Sequence, residues 1–175
     1  FVSQYFLMQK ELLLKSKTTA TSPVSSKAQS GQHCSTHFPS VVKASAYDAN
    51  YLFPKLREHD LRECSAVFDL NETNPLMEAL NDSKEAWTIL YKDKPIAMFG
   101  VADYGGNGWG APYLLGTEEL PKIAFRFLRH CPEYITKMHN HYDILSNFVL
   151  AENKIAIRWL KWLGFKIIEK RKYGR

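Results

Sequence analysis

Residues 153–165 have the sequence Asn-Lys-Ile-Ala-Ile-Arg-Trp-Leu-Lys-Trp-Leu-Gly-Phe. The side chain of Asn153 can accept a hydrogen bond from a free backbone N–H at a helix start, and Gly164 can take the left-handed conformation that ends a helix. Phe165 then opens an apolar run that is typical of a strand. The stretch therefore predicts a helix between Asn153 and Gly164, followed by a strand.

One face of this helix is predicted to lie in the core. Apolar residues recur at helical spacing between the two caps, and basic residues fall on the opposite side. The apolar residues are Ile155, Ala156, Trp159, Leu160, Trp162 and Leu163. We therefore expect Trp162 to be buried with the rest of this face.

The remaining sequence predicts a succession of strands and helices on both sides of this segment. Alternating apolar residues favour strands at 41–45, 86–91, 96–102, 110–115, 144–150 and 165–171. Helical turns are expected at 47–64 around Pro54, from the Asn74 cap through Leu80, and at 120–142 with a restart at Pro132. The predicted order is strand, helices, three strands, helix, strand, helix, strand.

Composition indicates one folded domain with an extension. The chain has 175 residues, of which 45% are apolar and 13% aromatic, enough for one ordinary core. Residues 1–40 are rich in Ser, Thr and Lys, and we predict that they form a flexible low-complexity extension. Residues 41–175 are predicted to form the single domain.

Charge and cysteine usage argue against several classes of function. The net charge of +5 is concentrated near the two ends of the chain, and no motif for nucleic-acid binding accompanies it. Cys34, Cys64 and Cys131 are too far apart for a zinc motif, so we predict no metal site. No apolar run approaches the roughly 20 residues of a membrane-spanning helix, so no membrane segment is expected.

Four stretches together resemble a known family. They are Ala-Met-Phe-Gly-Val at 97–101, Gly-Ala-Pro-Tyr-Leu-Leu-Gly-Thr at 110–117, Phe-Leu-Arg at 127–129, and the helix with its Gly-Phe end at 156–165. In this order they resemble the acetyltransferase-like, GNAT-type internal virion proteins of short-tailed bacteriophages. The resemblance runs from about Val41 to the end of the chain.

This resemblance implies an α/β (α+β) GNAT-like acyl-CoA N-acyltransferase fold, with a mixed central sheet flanked by helices. The family continues into another strand after a Tyr-Gly turn such as Tyr173-Gly174. We therefore expect the C-terminal strand to be missing and a sheet edge to be exposed, which would favour self-association.

The same resemblance implies where acetyl-CoA would bind. In the GNAT superfamily the cofactor lies where two parallel central strands splay apart, and backbone N–H groups at the start of the following helix hold its pyrophosphate. The matching residues here are Leu115, Gly116 and Thr117, with Asn153 beside the expected notch.

The turn after Gly116 departs from the family pattern. It has one glycine, no basic residue before Lys122, and Glu118 and Glu119 where a pyrophosphate would lie. Carboxylates are stable at a helix N-terminus, so these two side chains can occupy the position that a phosphate would need.

The catalytic residues are also incomplete. Leu160 stands where the superfamily commonly has a Tyr that protonates the departing thiolate. Asp103 and Glu118, both near strand ends, are the candidates for a base that accepts a proton from an amine. The sequence leaves open whether the protein is an enzyme.

Two hypotheses follow from the sequence. In the first, the protein is an internal virion or morphogenesis protein of a phage, catalytically degenerate, which acts through contacts with other virion proteins in the virion or the host cytoplasm. In the second, it is an active acetyl-CoA-dependent N-acetyltransferase that acts on a protein or a small-molecule amine.

Overall fold

The computed structural model describes residues 4–11, 39–103, 106 and 108–172. It contains one sheet of seven strands: β1 Gln4–Glu11, β2 Ser40–Lys43, β3 Ser83–Tyr91, β4 Lys94–Asp103, β5 Trp109–Gly116, β6 Ile144–Leu150 and β7 Lys166–Lys172. Their order across the sheet is β2-β3-β4-β5-β6-β1-β7. The pair β5 and β6 is parallel and the other neighbouring pairs are antiparallel, so the sheet is mixed, as predicted.

Within the described residues, six α-helices flank the sheet. They are α1 Ala46–Leu52, α2 Glu58–Ser65, α3 Pro75–Asn81, α4 Leu120–Leu128, α5 Cys131–His139 and α6 Lys154–Trp162, with a short 3-10 helix at Phe53–Lys55 between α1 and α2. The described elements after β1 follow the predicted order.

Local signals in the sequence account for the helix boundaries. The side chain of Asn74 accepts from the N–H groups of the first turn of α3, and Pro75 occupies the first helical position. Asn153 Oδ1 accepts from the Ala156 N–H at 3.1 Å and so caps α6. Gly164, with φ +91°, has the left-handed conformation that ends the helix. The predictions at these caps are confirmed.

The core lies in two layers, one on each face of the sheet. Successive side chains of a strand point to opposite faces. On β4, Phe99 packs against Phe127 and Tyr134 of α4 and α5, whereas Met98 belongs to a separate apolar cluster with Leu52 of α1. Helices α4, α5 and α6 therefore cover one face, and α1 and α3 cover the other.

The prediction that Trp162 is buried is wrong. Trp162 is 60% exposed and Ile155 is 61% exposed. The residues of α6 that pack in the core include Ile157 and Leu160, which lie on an adjacent arc of the helix. The apolar arc of α6 is wider than the surface that the sheet offers it, so one side of that arc remains in contact with solvent.

The segment at the start of the chain differs from its predicted role as an extension. Gln4–Glu11 forms β1, which pairs antiparallel with β6 on one side and with β7 on the other. The Met8 side chain is 1% exposed and joins the core. β1 therefore lies between β6 and β7, and β7 is the outer strand on this side of the described sheet. Residues 12–38, the rest of the predicted extension, lie outside the described residues.

Within the described parts of the chain, no helix has the length and apolar character needed to cross a membrane.

Candidate functional site

The two parallel strands at the centre of the sheet separate soon after they meet. β5 and β6 pair at Trp109 with Ile144 and at Gly110 with Leu145, and the pairing then stops. Beyond this point a cavity of about 400 Å³ opens between the strands and extends beneath the helices. We call this space the notch. Its apolar lining includes Leu114, Leu128, Ile135, Met138, Val149 and Leu160.

A carboxylate from α2 binds the last residue of β5. Asp60 Oδ2 accepts a hydrogen bond from the Gly116 N–H at 2.8 Å, and the backbone N–H of Arg57 donates to the Gly116 C=O at 3.0 Å. Asp60 is 3% exposed and is held in place by the Arg57 guanidinium, whose Nη2 lies 2.8 Å from Asp60 Oδ1. Both backbone groups of Gly116 therefore already have partners.

The backbone N–H groups of other residues in this turn also have hydrogen-bond acceptors. The Thr117 N–H donates to the Ile96 C=O at 2.8 Å, and Thr117 Oγ1 accepts from the Glu119 N–H at 3.3 Å. The Leu120 N–H donates to the Thr117 C=O at 3.0 Å. Together with the Gly116 N–H, four N–H groups that could face a phosphate at the start of α4 thus have acceptors within the protein.

The other predicted residues of this turn are divided between the notch and its surroundings. The side chain of Leu115 packs against the cluster of α1 and α3, on the face away from α4. Glu118 is exposed and contributes to the wall of the notch. Glu119 forms an exposed ion pair with Lys122 at 2.6 Å.

A second carboxylate from α2 binds the end of β6. Glu63 Oε1 accepts from the Leu150 N–H at 3.3 Å and from Asn153 Nδ2 at 3.1 Å. Asn153 therefore uses its oxygen to cap α6 and its amide nitrogen to bind Glu63. Asp60 and Glu63, one turn apart on α2, hold the diverging ends of the two strands.

An asparagine bridges the strands at the middle of the notch. Asn147 Nδ2 donates to the Pro112 C=O at 2.7 Å, and Asn147 Oδ1 accepts from the Phe148 N–H at 2.7 Å. Pro112 has no backbone N–H of its own. Side chains of the protein thus satisfy backbone groups that a ligand lying between the strands would otherwise bind.

Burial sets the ionisation of the groups along the notch. Burial raises the pKa of Asp60, and the Arg57 guanidinium and the Gly116 N–H oppose that rise. Burial also raises the pKa of Glu63, against the hydrogen bond from Asn153. The pKa of Cys131, in the wall of the notch, is raised to about 12 by burial, so this thiol is protonated at neutral pH and is a poor nucleophile.

The structure does not bring the two candidate bases together. Asp103 is the last residue of β4 and pairs with Gly110, at the narrow end of the notch. Gly116 lies six residue positions beyond Gly110 along β5, so Asp103 lies about 20 Å from the turn that leads to Glu118. The carboxylate of Asp103 accepts from the Gly106 N–H at 3.0 Å. Glu118 remains the candidate base beside the notch.

Among the residues that the structure describes, no group of three or more His, Cys, Asp or Glu side chains is arranged to hold a metal ion.

Arg57, Asp60, Glu63 and Asn147 were not singled out by the sequence. The spacing of Asp60 and Glu63 places both on one face of α2, and this pattern could have marked them as a pair. Their partners are 56 and 87 residues away in sequence, at Gly116 and Leu150. No local signal identifies contacts at that separation.

Several solved structures are similar to this fold. A GNAT-family acetyltransferase from Novosphingobium aromaticivorans superposes with a TM-score of 0.55 at 14% identity, over 96% of this chain and 61% of that one. A Drosophila protein gives a TM-score of 0.58 at 14% identity, over 97% and 49%. The ribosomal-protein-S18-alanine N-acetyltransferase of Escherichia coli gives 0.51 at 13% identity, over 74% and 78%. The chain has the GNAT fold, and it spans about half to three fifths of the first two structures.

Part of the chain also matches a known sequence family. Residues 100–170 match the family described as bacteriophage T7 probable scaffold protein Gp13. Both parts of the resemblance seen in the sequence, to phage internal proteins and to GNAT acetyltransferases, are thereby confirmed. No curated protein sequence matches the chain.

Proposed function

We propose that this protein is an internal virion or morphogenesis protein of a phage that uses a catalytically degenerate GNAT domain to bind other phage proteins. The match of residues 100–170 to a phage scaffold family supports the phage role. The virion and the host cytoplasm are the places where such a protein would act. Other virion proteins would be its partners.

The contact between Asp60 and Gly116 is the main support for the proposal that catalysis is lost. A cofactor pyrophosphate at this turn would have to displace a buried carboxylate from the Gly116 N–H. Breaking a buried charge pair such as Asp60 with Arg57 costs about 3–5 kcal/mol, which is a large part of the free energy of a micromolar complex. Glu118 adds negative charge beside the same turn.

A second candidate function is an acetyl-CoA-dependent N-acetyltransferase. The separation of β5 and β6 and the apolar cavity between them favour it, because the cavity could take an extended cofactor arm. Leu115, Gly116, Thr117 and Asn153 would then border the cofactor, and Glu118 would accept the proton from a protein or small-molecule amine. Leu160 offers no proton to the departing thiolate.

Calorimetric titration of the full chain with acetyl-CoA and with CoA separates the two functions. We expect no saturable heat from the unmodified protein. Saturable binding with a Kd in the tens of micromolar or tighter, about −6 kcal/mol or better, would overturn the degenerate assignment.

Asp60→Ala provides the matched test of the obstruction. This variant frees the Gly116 N–H and the Arg57 guanidinium, both of which can bind a phosphate, so we expect it to bind CoA more tightly than the unmodified protein. Glu58→Ala, which removes an exposed carboxylate from the same helix, is the control and should leave the titration unchanged. Circular dichroism would establish that each variant is folded.

Particle association has its own test. Mass spectrometry of purified, nuclease-treated phage particles should detect this chain together with the structural proteins. Its presence in the soluble fraction of infected cells and absence from particles at every stage of assembly would contradict the virion role.

A further inference from the structure

β1 occupies the space between β6 and β7, which we call the slot, and it pairs with both of these strands. Residues 5–11 pair with β6 and residues 4–9 pair with β7, antiparallel in each case. A strand in this slot therefore forms backbone hydrogen bonds along both of its edges. These bonds depend on the backbone and so would be identical for β1 of any copy of the chain.

Two described side chains fix the register of β1. Met8 is buried in the main core cluster and also borders the notch. Lys10 Nζ donates to the Leu163 C=O at the end of α6. The slot therefore recognises a particular strand and not simply any extended chain.

β7 depends on the occupant of the slot. It lies at the edge of the sheet, and β1 is the strand with which it pairs. All seven of its side chains are exposed, so it has no buried face of its own. Without a strand between β6 and β7, neither β7 nor the adjacent edge of β6 would have a partner in the described sheet.

The connection between β1 and β2 is long enough for the strand in the slot to come from the same chain or from a neighbouring chain. β2 lies five strand spacings from β1 across the sheet, which is about 24 Å. The intervening residues 12–39 number 28 and could extend to about 90 Å. The strand can therefore reach the slot of its own chain or the slot of a neighbouring chain.

We propose that β1 is an exchangeable strand and that a second copy of this chain supplies it, giving a dimer in which each chain completes the sheet of the other. Such reciprocal exchange closes with two-fold symmetry. The exchanged and unexchanged forms contain the same strand pairs, so concentration decides between them. A tether of this length gives an effective concentration on the order of millimolar, and the dimer should accumulate as the protein concentration approaches that value. This inference does not depend on whether the notch binds acetyl-CoA.

Mixed cross-linking of full-length chains tests the proposal. Leu7 and Phe148 are directly opposed in the β1–β6 register. One chain would carry Leu7→Cys and the other Phe148→Cys, both with Cys34→Ser, and the two would be refolded together at high concentration and oxidised. We expect a covalent dimer that contains one chain of each type, in a yield that rises with protein concentration.

Two controls make the outcome decisive. A single chain with both cysteines should form an internal disulfide in dilute solution, which verifies the register. Leu7→Cys mixed with Asn71→Cys, in the exposed turn before α3, should give background dimer only. A yield of mixed dimer no higher than this background at every concentration would overturn the proposal.

A shortened connection provides a second test. Deletion of residues 17–34 leaves ten residues between β1 and β2, about 33 Å when extended, which is too short to cross the sheet and pass around a layer of helices. We expect this variant to be dimeric by light scattering at micromolar concentration. Replacement of the same residues by an equally long Gly/Ser segment should leave a monomer. A folded monomer from the shortened chain would contradict strand exchange.

Discussion

Asp60 is a buried acceptor that joins α2 to the end of β5. Its carboxylate binds the Gly116 N–H and the Arg57 guanidinium. Burial alone would favour the neutral acid, and these two donors stabilise the charged form. The residue therefore links the stability of the domain to the state of the turn after β5.

Asp60→Ala should lower the free energy of unfolding by about 3–5 kcal/mol, because it leaves the guanidinium and the Gly116 N–H without their acceptor. Urea unfolding followed by circular dichroism measures this change. Glu58→Ala removes a carboxylate whose ion pair with Arg62 is exposed, and it should change the free energy of unfolding by no more than about 0.5 kcal/mol. Equal effects of the two substitutions would contradict the role given to Asp60.

Glu63 should make stability depend on pH. Its pKa is raised in the folded state from an ordinary value of 4.5, so the folded protein binds more protons than the unfolded chain just above pH 4.5. The contribution of Glu63 to stability is therefore fully present below that pH and is lost as the pH rises through its folded pKa.

Glu63→Gln removes this titration and keeps an oxygen that can accept from Leu150 and Asn153. We expect the loss of stability between pH 4.5 and pH 7 to be smaller in the variant than in the unmodified protein, as measured by urea unfolding across this range. Glu152→Gln, an exposed carboxylate, is the control. Identical pH profiles for Glu63→Gln and the unmodified protein would show that Glu63 does not titrate abnormally.

At the scale of the element, α6 separates what a sequence pattern can predict from what it cannot. The Asn153 cap and the Gly164 terminus could be predicted because each depends on residues within a few positions. The burial of each side chain could not, because it depends on where the sheet and α4 and α5 contact the helix. Trp162 shares the apolar character of Leu160, and tertiary packing alone distinguishes them.

Trp162→Gln should therefore leave the midpoint of thermal unfolding nearly unchanged, since the indole is already largely in solvent. Phe165→Ala, one residue beyond the terminal glycine, should lower the free energy of unfolding by about 3–5 kcal/mol because it empties a buried site. Differential scanning calorimetry compares the two. A large loss from Trp162→Gln would mean that the exposed face of α6 contributes to stability.

The notch also combines features that the sequence could predict with features that it could not. Leu115, Gly116, Thr117 and Asn153 could be placed at the end of β5 and at the start of α6 from local signals. The side chains that bind Gly116 and Asn153 come from α2, and Asp60 and Glu63 have no sequence feature that identifies Gly116 or Leu150 as partners. Local signals therefore predicted the strand end and the helix cap, the resemblance to the GNAT superfamily implied a notch beside them, and the structure was needed to show which side chains bind the polar groups there.

At the scale of the whole molecule, β1 determines whether one side of the sheet is complete. Met8→Asp would place a carboxylate in the core and should expel β1, because a buried unpaired charge is highly unfavourable. Hydrogen exchange should then show loss of protection in β7 and along β6, while β3 and β4 keep theirs.

Val42→Asp makes the same chemical change on β2, where the side chain is already exposed, and serves as the control. It should leave the exchange of β6 and β7 amides unchanged. Retained protection of β7 in Met8→Asp would show that β7 does not depend on β1.

The position of β1 also affects the order in which the protein can fold during synthesis. Residues 4–11 are translated before their partners in β6 and β7, which follow about 130 to 170 residues later. At about 5–20 residues per second, this strand waits on the order of ten seconds or more before its own slot exists. On a polysome, where nascent chains lie close together, that interval gives the waiting strand time to meet a slot in a neighbouring chain.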